Sequence, residues 1–259
     1  MWCPSVADSG ALELRDRVAL VTGGSRGLGR ACALALAEAG AHVVVAARTE
    51  SAVNQAVADI KSAGGSAEGR TLDVSVPAGI VDLYADLDGR RPPDVVVNAA
   101  GIYREGGVAN TTVEDWLNVC ATNATSTLVS CREAAQRMRR EGWGRIVNVA
   151  SVAGAVRGVP AAAAYAMSKG AVAALTRCLA LEVAHKGVTV NAVAPGMFNT
   201  DMTDVFRADP RRMDWVMSHD PVGRWGEPAE LGALVRYLAS PAAAFVTGQI
   251  VAADGGWTA

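Results

Sequence analysis

The sequence predicts an α/β fold in which a parallel β-sheet is covered by helices on both faces. Short apolar runs recur along the 259 residues and alternate with helix-forming segments. Most of these runs lack polar alternation, which is typical of parallel strands that are buried on both faces. The first run leads through a glycine-rich turn into a helix and then a second apolar run. Such a strand–helix–strand unit places its two strands parallel in one sheet.

Seven of the apolar runs are predicted to be strands. Residues 17–22 end at the glycine-rich turn, and residues 42–47 are rich in β-branched valine. The other five runs are residues 67–72, 94–97, 145–149, 188–193 and 249–252. Their alternation with helical segments indicates a three-layer, doubly wound Rossmann fold with a seven-stranded parallel sheet.

Helical segments are predicted between these strands. Residues 29–39 follow the first turn and stop before Gly40, a residue type that suits the end of a helix. Residues 52–62, 113–140 and 165–184 are also predicted to be helical. No linker, repeat or low-complexity segment divides the chain. We therefore expect residues 14–259 to form a single Rossmann-fold catalytic domain, preceded by an extension at residues 1–13.

Composition argues against several classes of protein. The formal net charge is −2 and no basic stripe is present, so we expect no nucleic-acid partner. The apolar runs are strand-sized or interrupted by charge, so we expect no membrane partner. The five cysteines form no paired motif and the three histidines lie far apart, which argues against a metal site. Residues 1–11 carry no signal-peptide pattern, and we expect a reduced, cytoplasmic protein.

The turn after the first strand predicts a dinucleotide site. Glycines there allow a tight turn and let a pyrophosphate approach the backbone N–H groups at a helix N-terminus, where the helix dipole favours an anion. A purely structural turn is the alternative, but the position between a strand and a helix of the first βαβ unit favours a cofactor. The predicted contacts are Gly23, Ser25, Arg26, Gly27, Leu28 and Gly29.

The end of the second strand indicates which dinucleotide binds. NAD sites usually place an acid about 20 residues after the glycines, where it bonds a ribose hydroxyl. Here that position is Ala47, and the next residue, Arg48, can bind a 2′-phosphate with help from Arg26. We therefore predict NADP(H) as the cofactor. The alternative is that both arginines are only solvated and that NAD(H) is preferred.

Tyr165 and Lys169 form a candidate acid/base pair. Their spacing of four residues on a predicted helix puts both side chains on one face, one turn apart. Free tyrosine has a pKa of about 10, and a nearby ammonium is expected to lower it. Ser151 follows the fifth strand, at the edge where ligands bind in doubly wound folds, so its hydroxyl can bond a reacting oxygen. The alternatives are an ordinary helix surface for the pair and helix capping for Ser151.

Jointly, these motifs resemble those of the short-chain dehydrogenase/reductase superfamily, from about residue 16 to residue 256. The motifs follow the family's order and spacing, and one departure is Ala99, where the family often has a second asparagine. They are Thr22-Gly23-x-x-x-Gly27-x-Gly29, Asn98-Ala99-Ala100-Gly101, Ser151, Tyr165-x-x-x-Lys169 and Pro195-Gly196. Within the superfamily, residues 199–203 are similar to β-ketoacyl reductases and residues 221–228 to sugar and polyol dehydrogenases.

The resemblance implies hydride transfer between a nicotinamide and a small-molecule ketone or secondary alcohol, with four catalytic residues. Tyr165 would give or accept the proton, and Lys169 would lower its pKa and hold the nicotinamide ribose. Ser151 would orient and polarise the carbonyl. Asn123 would hold a water that relays protons to Lys169.

The resemblance also implies cofactor contacts beyond the glycine-rich turn. Asp73 would contact the adenine, and Thr200 would contact the nicotinamide carboxamide. Asn98 would support the central strands beside the cofactor. The remaining predicted contacts are Val74, Gly101, Tyr165, Lys169, Pro195 and Gly196.

Residues 197–219 follow the sixth strand and are expected to fold over the site as a lid. Their bulky side chains indicate a partly hydrophobic substrate, and packing against the body or a neighbouring subunit is the alternative. These side chains are Met202, Phe206, Met213, Trp215 and Met217. Arg207, Arg211 and Arg212 are candidates for an anionic substrate group, with solvated surface as the alternative.

The helix at residues 165–185 is apolar around much of its circumference, so it needs covering on more than its core face. The family commonly forms homotetramers through such helices, and the resemblance therefore implies a homotetramer. Two other functions stay open. One is an NAD-preferring alcohol or polyol dehydrogenase, and the other is a non-catalytic dinucleotide-sensing protein. A sensor has no need of the complete set of four catalytic residues.

Overall fold

The computed structural model describes residues 14–259, so the expected extension at residues 1–13 lies outside the described residues. Within the described range, seven strands form one parallel sheet in the order β3-β2-β1-β4-β5-β6-β7. The strands are β1 (Val18–Thr22), β2 (His42–Ala47), β3 (Ser66–Thr71), β4 (Val95–Asn98), β5 (Gly144–Val149), β6 (Val188–Pro195) and β7 (Ile250–Ala253). The predicted seven-stranded parallel sheet is confirmed, and each strand begins and ends within two residues of its expected position.

Helices connect consecutive strands and cover both faces of the sheet. The longer ones are α1 (Gly27–Glu38), α2 (Glu50–Ser62), α3 (Pro77–Asp88), α4 (Val113–Cys120) and α5 (Ser126–Glu141). After β5 come α6 (Val152–Ala155), α7 (Ala163–Val183), α8 (Asp204–Arg207), α9 (Pro210–Ser218) and α10 (Pro228–Ala239). Among the described helices, none is both long and apolar enough to cross a membrane.

Side-chain alternation along the strands separates two apolar cores, one on each face of the sheet. Val21 of β1 belongs to the core that contains Leu36 of α1 and Leu231 of α10. The preceding Leu20 belongs to the opposite core, which contains Tyr84 of α3. Each central strand therefore buries both of its faces, which explains why these runs are apolar without polar alternation.

The segment predicted as one helix over residues 113–140 is interrupted by a π-helical turn at Ala121–Thr125. The Asn123 side chain lies in this turn, is fully buried and bonds the backbone N–H and C=O of Ile102 at 2.8 and 3.0 Å. Nearby hydroxyls bond back to carbonyls of the turn, since Thr127 Oγ1 donates to Asn123 O at 2.8 Å. Such side-chain bonds compete with the regular helix ladder and accompany the wider turn.

The strand order reverses between β1 and β4, which opens a crevice at the carboxyl edge of the sheet. The chain after β1 packs against the chain after β4 at this point. A Cβ added to Gly23 would lie 2.7 Å from Ala100 Cα, too close for any other residue type without movement of backbone. Gly23 also has φ +68°, a conformation that favours glycine. The predicted glycine-rich turn therefore borders the crevice.

Candidate active site

The crevice forms a cavity of about 850 Å³ at the carboxyl edge of the sheet. Among the predicted site residues, those that line it are Gly23, Ser25, Arg26, Gly27, Leu28, Gly29, Arg48, Asp73, Val74, Gly101, Ser151, Tyr165, Lys169, Pro195, Gly196 and Thr200. Asn98 and Asn123 are buried beside the cavity without lining it. The structure therefore brings segments from nearly the whole chain to one cavity.

The glycine-rich turn presents the N-terminus of α1 to the cavity. Arg26 precedes α1 and makes no side-chain cap, so no side chain covers the first N–H groups of the helix. Gly27 has φ +52°, which a side chain would strain, and a Cβ at Gly29 would collide with the carbonyl oxygen of Gly23. Uncapped N–H groups at a helix N-terminus, approached by glycine backbone, fit the pyrophosphate of a dinucleotide.

Arginines dominate the part of the cavity beside the end of β2. Arg48 is exposed, lines the cavity and follows Ala47, so no carboxylate occupies the position typical of NAD sites. Arg26 Nη1 lies 3.7 Å from Asp201 Oδ2, and both side chains are largely exposed. Hydrogen bonds from Ser75 and the charge of Arg48 lower the pKa of Asp73, so that carboxylate is already engaged.

Tyr165 and Lys169 lie one turn apart on α7, as predicted, and both line the cavity. Lys169 Nζ donates to the Val149 carbonyl at 2.6 Å and lies 5.8 Å from the centroid of the Tyr165 ring. Its side chain is buried, and this desolvation lowers the pKa of Lys169 to about 8. The amine is therefore held at the carboxyl end of β5, within reach of Tyr165.

Burial raises the pKa of Tyr165 above its ordinary value, while hydrogen bonding to the Ser151 hydroxyl lowers it and the neighbouring Tyr103 raises it. Here the structure differs from the expectation that Lys169 depresses this pKa, because desolvation by burial has the largest effect. Ser151 also accepts a bond from the Ala153 backbone N–H at 3.1 Å. The Ser151 side chain therefore both caps α6 and lies beside Tyr165.

The two asparagines that do not line the cavity hold its walls together. Asn123 fixes the Ile102 backbone and donates to Ser168 Oγ at 3.0 Å, which ties the π-helical turn to α7. Asn98 Nδ2 donates to Asn148 Oδ1 at 2.9 Å, and this bond links β4 to β5. Asn123 therefore ties the loop after β4 to the start of α7, and Asn98 separately ties β4 to β5.

The rest of the cavity, which we call the substrate end, is lined by aromatic side chains. The Tyr103 ring lies 5.2 Å from Tyr165 in an edge-to-face arrangement and 6.1 Å from Phe206. Trp215 lies edge-to-face against Trp257, with centroids 5.7 Å apart. Sequence reasoning missed Tyr103 and Trp257, although each follows the carboxyl end of a strand, β4 and β7, and that position was a usable signal.

The segment at residues 197–219 borders the cavity as expected. It folds into a short 3₁₀ turn at Asp201–Thr203 followed by α8 and α9. Arg212 of α9 bonds Glu105 Oε2 at 3.0 Å, which joins this segment to the loop after β4 across the substrate end. Of the other two candidate arginines, Arg211 lines the cavity, whereas Arg207 pairs with Asp204 outside it.

Known proteins resemble the chain over nearly its whole length. Residues 23–258 match the family model described as Enoyl-(Acyl carrier protein) reductase. The chain is 41% identical to the 3-oxoacyl-[acyl-carrier-protein] reductase of Synechocystis sp., a match that covers 94% of this chain and 97% of the relative. It is 37% identical to the 2-dehydro-3-deoxy-D-gluconate 5-dehydrogenase of Bacillus subtilis, with coverage of 95% and 96%.

A solved structure has the same fold as this chain. The crystal structure of a gluconate 5-dehydrogenase from Burkholderia cenocepacia, in complex with NADP and tartrate, superposes with a TM-score of 0.92. The two chains are 33% identical, and the match covers 96% of this chain and 98% of that one. The seven-stranded fold and the position of its crevice are therefore those of a known class of oxidoreductase.

The lowered pKa of Lys169 predicts a pH dependence of stability. The unfolded chain keeps this proton up to about pH 10.5, whereas the folded protein releases it near pH 8. Between these values the unfolded state binds more protons, so the contribution of Lys169 to the free energy of unfolding rises with pH. Relative to Lys169→Met, the wild type is expected to gain roughly 2 to 3 kcal/mol between pH 7 and pH 10.

Urea unfolding of both proteins at several pH values measures this difference. The buried thiols of Cys32 and Cys131, whose pKa values burial raises to about 12, are present in both proteins and cancel in the comparison. A difference that stays constant with pH, or falls, would contradict the assigned burial of the ammonium.

Proposed function

The chain belongs to the short-chain dehydrogenase/reductase superfamily, and we propose that it is an NADP(H)-dependent enzyme that interconverts a ketone and a secondary alcohol. It is an oxidoreductase, as its relatives are. The observation that carries the proposal is the convergence of Ser151, Tyr165 and Lys169 on a cavity that extends to the uncapped N-terminus of α1. We propose that residues 14–259 act as a single catalytic domain.

The described residues fit a dinucleotide phosphate along this cavity. The N–H groups at the start of α1 would hold the pyrophosphate, and Arg48 with Arg26 would hold the 2′-phosphate. Asp73 and Val74 line the adenine end of the proposed site. At the other end, the proposed contacts are Gly101, Lys169, Pro195, Gly196 and Thr200. The bound nicotinamide would supply or accept the hydride.

Tyr165 is proposed to move the proton. Because burial raises its pKa, the phenol is protonated at neutral pH and can donate to a carbonyl oxygen during reduction. The Ser151 hydroxyl, which stabilises the phenolate by hydrogen bonding, can bond the same oxygen and orient the carbonyl. Lys169 has a pKa of about 8 and is charged at neutral pH, so it favours the loss of the proton from Tyr165.

Asn123 is proposed to act by position. Its side chain fixes the Ile102 backbone and Ser168, one residue before Lys169, so it holds the loop after β4 against α7. The water relay implied by the family resemblance stays a prediction for Asn123. The cytoplasmic location expected from the cysteine pattern also stays a prediction.

We also propose a homotetramer in which α7 packs against another copy of the chain. One exposed face of this helix carries an apolar stripe at helical spacing, made of Met167, Ala171, Ala174, Cys178 and Leu181. Leu181 is 85% exposed and Met167 is 59% exposed. A stripe of this kind is typical of a contact between subunits, because water contact with it is unfavourable.

Removal of the Tyr165 hydroxyl is expected to abolish most turnover. Tyr165→Phe should lower kcat by roughly 10²- to 10⁴-fold, because general acid–base catalysis contributes about that much. The dissociation constant of NADPH, measured by fluorescence, should change less than about threefold.

Tyr237→Phe is the matched control, because Tyr237 lies on α10 outside the cavity. Near-normal turnover of Tyr165→Phe would refute the assignment. NADPH binding by the wild type without turnover of any ketone in a broad panel would favour the dinucleotide-sensing alternative.

We expect Arg48 to determine the preference of the enzyme for NADPH over NADH. Arg48→Ala should weaken NADPH binding by roughly 10- to 100-fold, because it removes a charge-assisted bond to the 2′-phosphate worth about 1.5 to 3 kcal/mol. NADH binding should change little. Titration calorimetry with both cofactors checks this, with Arg91→Ala, an exposed arginine outside the cavity, as control. A wild type that prefers NADH would instead favour the NAD-preferring polyol dehydrogenase.

Sedimentation velocity tests the proposed assembly. The wild type should sediment as a tetramer of the 26.7 kDa chain. Leu181→Glu should shift it to smaller species, because the new carboxylate would be buried without a partner. Val76→Glu, at a 53% exposed position before α3, is the control. A wild type that is a stable monomer would contradict the homotetramer.

A further inference from the structure

We propose that the substrate of this enzyme is an aryl ketone, with its carbonyl attached to an aromatic ring. The inference rests on the proposed function, because it names the substrate class of that same site. It is carried by the composition of the substrate end of the cavity, where aromatic rings lie beside Tyr165 and Glu105 pairs with Arg212.

The substrate end concentrates aromatic side chains. Aromatic residues make up 5% of the sequence, yet four of them line this part of the cavity in addition to Tyr165. They come in two pairs, Tyr103 with Phe206 and Trp215 with Trp257. Their tilted and edge-to-face geometries leave ring faces and edges available, which is the arrangement that a further aromatic ring extends.

The aromatic wall begins next to the proposed reaction centre. The Tyr103 ring lies 5.2 Å from the ring of Tyr165, at an interplanar angle of 77°. A substituent of a carbonyl bound at Tyr165 and Ser151 therefore has the Tyr103 ring as a neighbour that it can contact. A flat ring in that place gains edge-to-face contact with Tyr103, which a saturated carbon does not.

The charged groups of the substrate end offer little to a polyol. Glu105 and Arg212 bond each other at 3.0 Å, and Arg212 also lies 3.4 Å from Asp209. A polyol that used either of these side chains would therefore compete with a pair that already exists.

Arg211 is the charged side chain of the substrate end with no side-chain ion pair to another described residue. It is exposed and can pair with an anionic substrate group. One exposed cation does not supply partners for the several hydroxyls of a sugar acid, and the gluconate probe below measures its effect directly.

An alkyl ketone is the closest competitor, because it would also fit an apolar wall. Ring-to-ring contacts add to the burial of area, so a planar ring should bind more tightly than a saturated ring of nearly the same size. Comparing the affinities of ligands that carry a phenyl or a cyclohexyl group therefore distinguishes a site that prefers aromatic rings from one that is only apolar.

Ligand binding to the NADPH-loaded enzyme, in which an alcohol cannot react, gives the first test. Dissociation constants are measured by quenching of tryptophan fluorescence, since Trp215 and Trp257 line the site. The probes are 1-phenylethanol, 1-cyclohexylethanol and gluconate. We expect 1-phenylethanol to bind at least fivefold more tightly than 1-cyclohexylethanol and at least tenfold more tightly than gluconate. Equal binding of the two ring alcohols, or tighter binding of gluconate, would overturn the inference.

Variants of Phe206 give the second test. Phe206→Leu keeps apolar bulk without a ring. It should reduce the preference for 1-phenylethanol over 1-cyclohexylethanol, measured as the ratio of their dissociation constants, to below twofold. Phe206→Tyr keeps the ring and should restore most of the ratio. Phe245→Leu, at a fully exposed phenylalanine outside the cavity, is the control. A ratio that Phe206→Leu leaves unchanged would count against the aromatic site.

NADPH oxidation separates this inference from the proposed function. The ketones compared are acetophenone, cyclohexyl methyl ketone, 5-ketogluconate and an acetoacetyl thioester of N-acetylcysteamine. The highest kcat/KM with acetophenone supports both proposals. The highest value with 5-ketogluconate or the thioester overturns the substrate class and leaves the ketone reductase in place. If no ketone is reduced, the proposed function fails, and the binding ratio still decides the substrate class.

Discussion

The rest of the site depends on one close contact, between the turn after β1 and the chain after β4. A Cβ on Gly23 would meet the backbone of Ala100, and a Cβ on Gly29 would meet the carbonyl of Gly23. Only glycine allows backbone to approach backbone in this way. The contact sets the N-terminus of α1 beside the loop that leads to Tyr103. Because the sheet order reverses at this point, anion-binding N–H groups and the wall that holds Tyr165 border the same cavity.

Burial then controls the protons in that cavity. It lowers the pKa of Lys169 to about 8 and raises the pKa of Tyr165, so the usual order, in which a tyrosine pKa lies slightly below a lysine pKa, is reversed. The proton therefore stays on Tyr165 while Lys169 bonds the Val149 carbonyl. The negative charge of a bound dinucleotide favours the ammonium form of Lys169. The depression of the Tyr165 pKa by Lys169 that the family resemblance implies stays a prediction.

The strands could be predicted because the apolar run that indicates each strand lies within the strand's own few residues. Val43, Val44 and Val45 are apolar on both faces of the sheet and leave little choice of structure. The π-helical turn could not be predicted, because it depends on bonds from Asn123 to Ile102, which lies 21 residues earlier in the sequence. The shared helix face of Tyr165 and Lys169 could be predicted, because a spacing of four residues on a helix places two side chains one turn apart. Tyr103 and Trp257 were missed because their shared position arises only when the ends of β4 and β7 meet at one edge of the sheet.

This contrast explains why cofactor class is easier to infer than substrate class. The cofactor half of the cavity consists largely of backbone N–H groups and glycines within one short turn, so a single motif describes it. The substrate half is assembled from the loop after β4, the segment after β6 and the end of the chain, which carry Tyr103, Phe206 and Trp257. Each loop can change without disturbing the sheet, and similar chains are named for different substrates, one as a 3-oxoacyl-[acyl-carrier-protein] reductase and one as a 2-dehydro-3-deoxy-D-gluconate 5-dehydrogenase. Specificity in this chain therefore has to be derived from the side chains that meet at the cavity, and those are aromatic.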